Sequence, residues 1–417
     1  MRRSRIATFG GTLLIALVLF CLTAAAQSHE RVLHVFTYSP SCDFSTAPLT
    51  ADAAGNLYGS TLVGGANKMG CIFELSPTAT GWQETTLYSF KGFSSGDGDG
   101  PAAALTFDSQ GNLYGTTVRG GSYDSGVAFE LSPTNPGGWT ETVLHNFGSG
   151  SDGNGPQSDL IFDRAGNLYG TTTGSGGNRR GGTVFKLTPG LGGWTETILY
   201  AFPTSGPDGD WPAGGVVMDG AGNLYGATHF GGAGGYGSVY RLAILKDGSY
   251  RESVIHSFNL YDGWEPKTGL TIDGKGTLYG TTDAGGDTIA CYCGVVFELT
   301  KNSNGKWTEN VLHSMAATDG GSPMGPVVFD GAGNLYAAAQ SGGTFAQGTI
   351  FMLTPTSIGP WSETILHQFD YQYPDGKDGE SPYAGVIVRR GQVFGTTAGG
   401  GGPDDSGIVF RITPRVK

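Results

Sequence analysis

His229, Asp283 and Gln340 stand directly after the same short apolar segment in three successive stretches of this chain, where the other copies of that segment are followed by Leu62, Val118, Thr173 and Ala398. Histidine and a carboxylate can pass a proton at neutral pH, and glutamine both donates and accepts hydrogen bonds. Two tryptophans fall in the same sector: Trp211 beside Asp210 and just before Pro212, and Trp264 beside Glu265 and two residues before Pro266. Exposed tryptophan flanked by carboxylates suits stacking on sugar rings with hydrogen bonds to hydroxyls. Two chemistries follow. One is non-covalent binding of a carbohydrate or an extracellular protein partner through Trp211, Trp264, His229, Asp283, Gln340, Asp210 and Glu265. The other is an extracellular polysaccharide hydrolase or lyase with His229 as base and Asp283 or Glu265 as acid partner. The sequence holds no recognised nucleophile motif, metal set or phosphate loop, which favours binding or a scaffold role. Drift on a variable loop surface would produce the same departures, so the elements that carry these residues decide whether they meet.

Of 417 residues, 74 are glycine, 38% are hydrophobic, 11% aromatic and only 14% charged. That composition can build a core, and glycine at this level without a three-residue period implies many turns between short strands, hence an all-β fold. The formal charge of −12 makes nucleic acid and anionic membranes poor partners. Residues 1–26 have the layout of a secretory signal: Arg2, Arg3 and Arg5, an apolar run from Leu13 to Leu22, then Ala24-Ala25-Ala26 before Gln27. The apolar run is shorter than the roughly 20 residues of a spanning helix. Phe20 before Cys21 is bulkier than the small residue that lipoprotein processing favours. The expectation is a secreted protein, periplasmic or extracellular, with a mature charge of about −15 and no stable membrane insertion.

Self-similarity supplies the organisation. Gly-Asn-Leu-Tyr-Gly begins at Gly55, Gly111, Gly166 and Gly222, followed by variants at Gly276, Gly333 and Gly391, with spacings of 56, 55, 56, 54, 57 and 58 residues. Seven units of this length fill residues 27–417 as a single domain. Unit two predicts four strands: Leu105–Asp108, Asn112–Thr117, Val127–Leu131 and Trp139–Phe147. In the last of these, period-two alternation puts Trp139, Glu141, Val143, His145 and Phe147 on one face. Four-stranded antiparallel sheets arranged radially bury one another's apolar faces, as in a β-propeller. The chain opens on a fourth-strand segment at residues 31–36 and closes on a third strand at residues 408–412. These two segments are expected to pair and close a seven-bladed ring. An open solenoid has no use for such a split unit.

The Gly-Asn-Leu-Tyr-Gly-Thr-Thr, Gly-x-Val-Phe-x-Leu-x-Pro and Gly-Trp-x-Glu-Thr elements resemble the GloVer tandem repeat of exported, choice-of-anchor bacterial proteins, over residues 30–414. The opening Pro-x-x-Gly-Leu-x-x-Asp-x-x-Gly-Asn-Leu-Tyr is also similar to NHL-type propeller blades, which implies that the first strand is innermost. The resemblance carries no activity. Lys417 lies just past the last strand, so no C-terminal sorting segment is expected.

Repetition also separates blade-building residues from site residues. His34, His145, His256, His313 and His367 share one fourth-strand position with Tyr88 and Tyr200. Equivalent positions lie on different blades, so these histidines are read as structural rather than as one metal site. Trp82, Trp139, Trp194, Trp307 and Trp361 would cover the outer sheets, and Glu84, Glu141, Glu196, Glu309 and Glu363 would pair with nearby Lys or Arg. Asp52, Asp108, Asp163, Asp219, Asp273 and Asp330 would accept N–H bonds in the turn after the first strand, with Arg389 in their place in the last unit. The loops with Asp97, Asp152, Asp208, Asp262, Asp319, Asp375 and Asp378 offer oxygens to calcium, but they lack the full ligand set of an EF-hand and read first as turns. No other cofactor is expected, and the chain reads as a monomer. Of the cysteines after the signal, Cys42 and Cys71 are expected to bridge, and Cys291-Tyr292-Cys293 can close only a small ring.

Overall fold

The computed structural model describes residues 28–37, 42–135, 137–175, 181–204, 206–212, 214–286, 291–357, 360–370 and 378–415. The signal segment, Asp375 and Lys417 lie outside the described residues. Seven sheets follow one plan, each antiparallel and ordered first to fourth strand from the inside outward. In blade 2 the strands are Thr106–Phe107, Leu113–Gly120, Val127–Thr134 and Gly138–Asn146. The first strand is shorter than expected and the second and third are longer. Blade 7 takes its fourth strand from the other end of the chain: His29–Val35 pairs with Ile408–Thr413, from His29 opposite Thr413 to Val35 opposite Ile408. The fold is therefore a seven-bladed β-propeller closed by its termini. No helix among the described residues is long and apolar enough to cross a membrane.

Seven hydrophobic clusters fill the seven seams between neighbouring blades. In the seam between blades 7 and 1, Leu33, Phe36, Phe394 and Val409 meet Leu49, Leu57 and Phe73. The repeated motif is explained by this packing. Its second glycine lies opposite the third-strand aromatic, and a Cβ at Gly115 would stand 2.7 Å from the Phe129 ring. Its aspartate ties the turn. Asp108 accepts the N–H of Gln110 and Asn112, the Asn112 amide and the Tyr114 hydroxyl, at 2.8–3.2 Å. Asp52, Asp163, Asp219 and Asp330 hold the same Asn and Tyr partners. In blade 7 the turn tightens to Arg390 and Gly391, both at positive φ, and Arg389 donates to the Asp52 carbonyl of blade 1 instead.

One feature corrects the alternation expected for the fourth strand. In every blade the register between third and fourth strands shifts at a β-bulge, in blade 2 where Phe129 faces Val143 but Ala128 faces His145. A bulge adds a residue and flips the side chains beyond it to the other face. Trp139 and Val143 accordingly pack toward blade 1, while Leu144 and Phe147 pack toward blade 3. The repeated tryptophans lie in the seams rather than over the outer surface. Cys42 is bonded to Cys71, with Cα atoms 5.8 Å apart, and Cys291 to Cys293.

Deleting residues 29–36 removes Leu33 and Phe36 from the last seam at a cost on the order of 5 kcal/mol. The melting temperature should fall on the order of 10 °C. Unchanged melting of the truncated chain in a thermal scan would count against closure.

Candidate functional site

The loops from fourth to first strand and from second to third strand emerge on one face and are stitched together there. Small ribbons do this, such as Gly153–Asn154 with Gly174–Ser175, Cys42–Asp43 with Val63–Gly64, and Gly379–Glu380 with Gly399–Gly400. Each ribbon leads to the residue that precedes the first strand's Pro or its equivalent. That residue is at positive φ in all seven blades: Gly100 and Gly155, but also Phe44, Trp211, Glu265, Ser322 and Ser381, at φ 52–61°. A side chain in this region costs about 1 kcal/mol or more, so the backbone around it must impose it. Hydrogen bonds on both sides do so. Trp211 donates to Gly181 of the preceding blade and accepts from His229, and Glu265 donates to Tyr236 and accepts from Asp283, at 2.9–3.1 Å. This pairing sets Trp211 against His229 and Glu265 against Asp283.

Where the blades converge, a cavity of about 540 Å³ opens on the axis at this face, within the size range of small-molecule sites. It draws lining from every blade, including Phe44, Arg119, Asp159, Trp211, His229, Lys267 and Tyr383. Trp211 and His229 rings lie 5.4 Å apart, and His229 stacks on Phe230 at 4.0 Å. His229 Nε2 is 3.1 Å from Glu265 Oε2, and Lys267 Nζ is 3.2 Å from the same oxygen and 2.5 Å from Asp283 Oδ2. Burial lowers the pKa of His229 more than Glu265 raises it. Burial alone would raise Glu265, but the His229 and Lys267 contacts hold it below the ordinary carboxylate value. Burial likewise pulls Lys267 down, and its two carboxylates more than reverse this. The positive charge of the network therefore sits on Lys267, and a neutral imidazole faces an ionised Glu265 at neutral pH.

Of the residues singled out by sequence, the structure brings Trp211, His229, Glu265 and Asp283 together. Only Trp211 and His229 line the cavity itself; Glu265 and Asp283 stand behind it, paired to the lining residues His229 and Lys267, and the other three lie apart from this group. The Asp210 carboxylate is 3% exposed and accepts the Gly181 N–H at 2.7 Å, so it holds the loop. Trp264 is bridged to Ala284 and meets Tyr236 edge-on at 5.6 Å. Gln340 belongs to the second strand of blade 6, Leu335–Ser341, away from the lining. Two residues of the site were missed, Lys267 and Asp159. Asp159 had a signal: its equivalents in the other units are Pro48, Ala104, Gly215, Gly269, Pro326 and Gly385.

Carboxylates and histidines also gather in the outer part of the seams. The bulge sends Glu141 and His145 of one strand to opposite neighbours, so six seams join a His or Tyr and a loop Asp from one blade to a Glu from the next, while His34 meets Glu84 without an Asp among the described residues in the seam between blades 7 and 1. His145 Nε2 lies 2.9 Å from Asp152 and 3.9 Å from Glu196, and His313 lies 3.4 Å from Asp319 and 3.6 Å from Glu363. These two sets have their ligand atoms within 4.8 Å of one another and are the groups among the described residues able to close on a metal ion. In two other seams Tyr88 and Tyr200 stand at the histidine position and donate to Asp97 and Asp208 at 2.8 Å. The glutamates thus face His and Asp, not the Lys or Arg expected. Among the described residues the loop aspartates turn to these partners and to backbone N–H groups, as Asp97 does to Lys91 and Gly98.

The Gloeobacter/Verrucomicrobia repeat signature matches residues 15–218 and 173–410. No curated protein matches the chain in sequence. Similar solved structures include a luciferin-regenerating enzyme, 13% identical over 91% of this chain and 95% of that one with a TM-score of 0.43. Another is a candidate 6-phosphogluconolactonase from Bacteroides uniformis, 13% identical over 88% and 89% with a TM-score of 0.47. Likeness of this degree carries no activity across.

The seam chemistry generates a pH dependence. Burial raises Glu30, Glu141, Glu196, Glu252 and Glu363 to about 7 and Glu309 to about 8, from 4.5. A carboxyl that is easier to protonate when folded contributes its stability in full below the unfolded pKa and loses it as pH rises through the folded one. The turn aspartates Asp108, Asp163, Asp219 and Asp330 act oppositely. Burial raises them, but hydrogen bonds outweigh it, so their contribution is lost only in acid. The melting temperature should rise as pH falls from about 8.5 to about 5 and drop below about 4. Glu309→Gln should flatten that rise. A melting temperature that is level or falls from pH 8.5 to 5 would contradict the assignment.

Proposed function

We propose that this chain, which belongs to the Gloeobacter/Verrucomicrobia repeat family, is an exported binding propeller that holds a small carbohydrate in its axial cavity. One observation carries the reading: side chains that depart from the repeat, Trp211, His229, Lys267 and Asp159, gather at a single cavity, where the six equivalents of Asp159 are Gly, Ala or Pro. Repeated residues build the blades, so a cluster of unrepeated polar and aromatic groups at the one place open to all seven blades is what a ligand site requires. Trp211 would supply a stacking face, and the His229–Glu265–Lys267–Asp283 chain would supply fixed hydrogen-bond donors and acceptors for hydroxyls. Export rests on the pattern of residues 1–26, and the acidic charge of −12 suits a monomer in a salty, open compartment.

The second reading is a polysaccharide hydrolase or lyase with its site in the same cavity. The 3.1 Å approach of a neutral His229 to Glu265 favours it, because a base held unprotonated at neutral pH beside a carboxylate has the elements of proton transfer. Under that reading His229→Ala abolishes turnover of a polysaccharide while leaving its binding largely intact.

Glycan-array screening followed by calorimetry tests the favoured function. The unmodified protein should bind at least one glycan class, and Trp211→Ala and Lys267→Met should each weaken that binding about tenfold or more without lowering the melting temperature by more than a few degrees. Absence of glycan binding by the unmodified protein would overturn the carbohydrate reading.

A further inference from the structure

The charges around the axial cavity are unevenly satisfied, and the imbalance points to one class of sugar. Arg119 is held bidentately by Asp99, Nε to Oδ2 at 3.0 Å and Nη2 to Oδ1 at 3.3 Å. Lys267 is held by Glu265 and Asp283. Both cations of the lining are therefore already neutralised, and a ligand anion would have to displace a carboxylate to reach either. Asp159 is in the opposite position. Its single hydrogen bond comes from the Ala104 N–H to Oδ1 at 2.7 Å, and no cation partners it among the described residues. Enclosure raises its pKa, with only that N–H opposing. Asp159 remains partly exposed where it lines the cavity, so its carboxylate is open to pairing with a cationic ligand group.

Asp159 is also the one charged residue at its position in the repeat; the equivalents are Pro48, Ala104, Gly215, Gly269, Pro326 and Gly385. Small residues there let the first strands approach closely, and a Cβ on Gly215 would already stand 3.2 Å from the Asp159 carbonyl. Seven-fold repetition thus produces a narrow ring with one carboxylate in it. Aromatic residues from three different blades, Phe44, Trp211 and Tyr383, line the same cavity. A carboxylate and aromatic rings lining one cavity form the surroundings that an ammonium group prefers over a hydroxyl.

Resting on the carbohydrate reading, we propose that the axial cavity recognises a sugar bearing a free amine, with Asp159 pairing its ammonium and Trp211 stacking on the ring. Asp159 is then the specificity residue, whereas Trp211 serves any sugar that enters.

Titration of the intact mature protein with three disaccharides separates the claims: di-glucosamine, its di-N-acetylated form, and cellobiose, which share a ring shape and differ in charge. The unmodified protein should bind di-glucosamine about tenfold or more tightly than the other two. Asp159→Asn should remove that preference while leaving a common residual affinity, and Trp211→Ala should weaken all three. Equal affinity for the three sugars, or a preference that survives Asp159→Asn, overturns the amine assignment while carbohydrate binding stands. Binding of none of them, together with a blank glycan array, overturns both.

Discussion

Pairing between His29–Val35 and Ile408–Thr413 is the constraint on which the rest of the molecule depends. A single blade of this repeat has apolar side chains on both faces and no way to cover them alone. Six of the seams are filled between blades that follow one another along the chain. The seventh exists only because the two ends of the chain build blade 7 together, which brings Leu33 and Phe36 against Leu49 and Phe73 of blade 1. Closure also creates an axis. Without it no point would be near all seven first strands, and the cavity that draws on every blade would not form.

The β-bulge in each fourth strand is the second device that repetition builds in. It lets one strand serve two seams, with Glu141 directed to the Asp97 side and His145 to Asp152 and Glu196. Each seam therefore has an apolar inner part and a titratable outer part. The inner part accounts for cohesion, and the outer part makes that cohesion respond to protons. The axial site is of a different kind. Its members differ from blade to blade, and they are held in place by the backbone pairing that forces Trp211 and Glu265 to positive φ.

Much of this was legible from residues alone, for identifiable reasons. The period, the blade count and the exchanged terminal strand follow from Gly-Asn-Leu-Tyr-Gly recurring every 54 to 58 residues and from the incomplete units at the two ends. The bulge was not legible, because the extra residue, Leu144, is apolar like Val143 before it and leaves the alternation looking unbroken. Misplacing it put Glu141 and His145 on one face and hid the seam clusters. Comparing equivalent positions found His229 and Asp283 because they stand out against Leu62 and Val118. It missed Lys267, whose equivalents are as mixed as Thr46, Gln157, Met324 and Tyr383, and Asp159, whose six small equivalents would have marked it had the axial position been compared. Asp210 and Trp264 misled for a local reason: each lies one residue before the positive-φ position, and there the strand pairing ties the backbone to Phe230 and Ala284.

Ring closure is tested most directly by cross-linking the two ends. Arg31 and Arg411 face each other in the terminal pairing. Replacing both by cysteine and treating the dilute protein with a short bis-maleimide should join peptide 31 to peptide 411 within one chain, seen by mass spectrometry, and should raise the melting temperature. Cross-links formed only between molecules, or none at all, would mean that the termini lie apart and that neither the seventh seam nor the axial cavity exists as described.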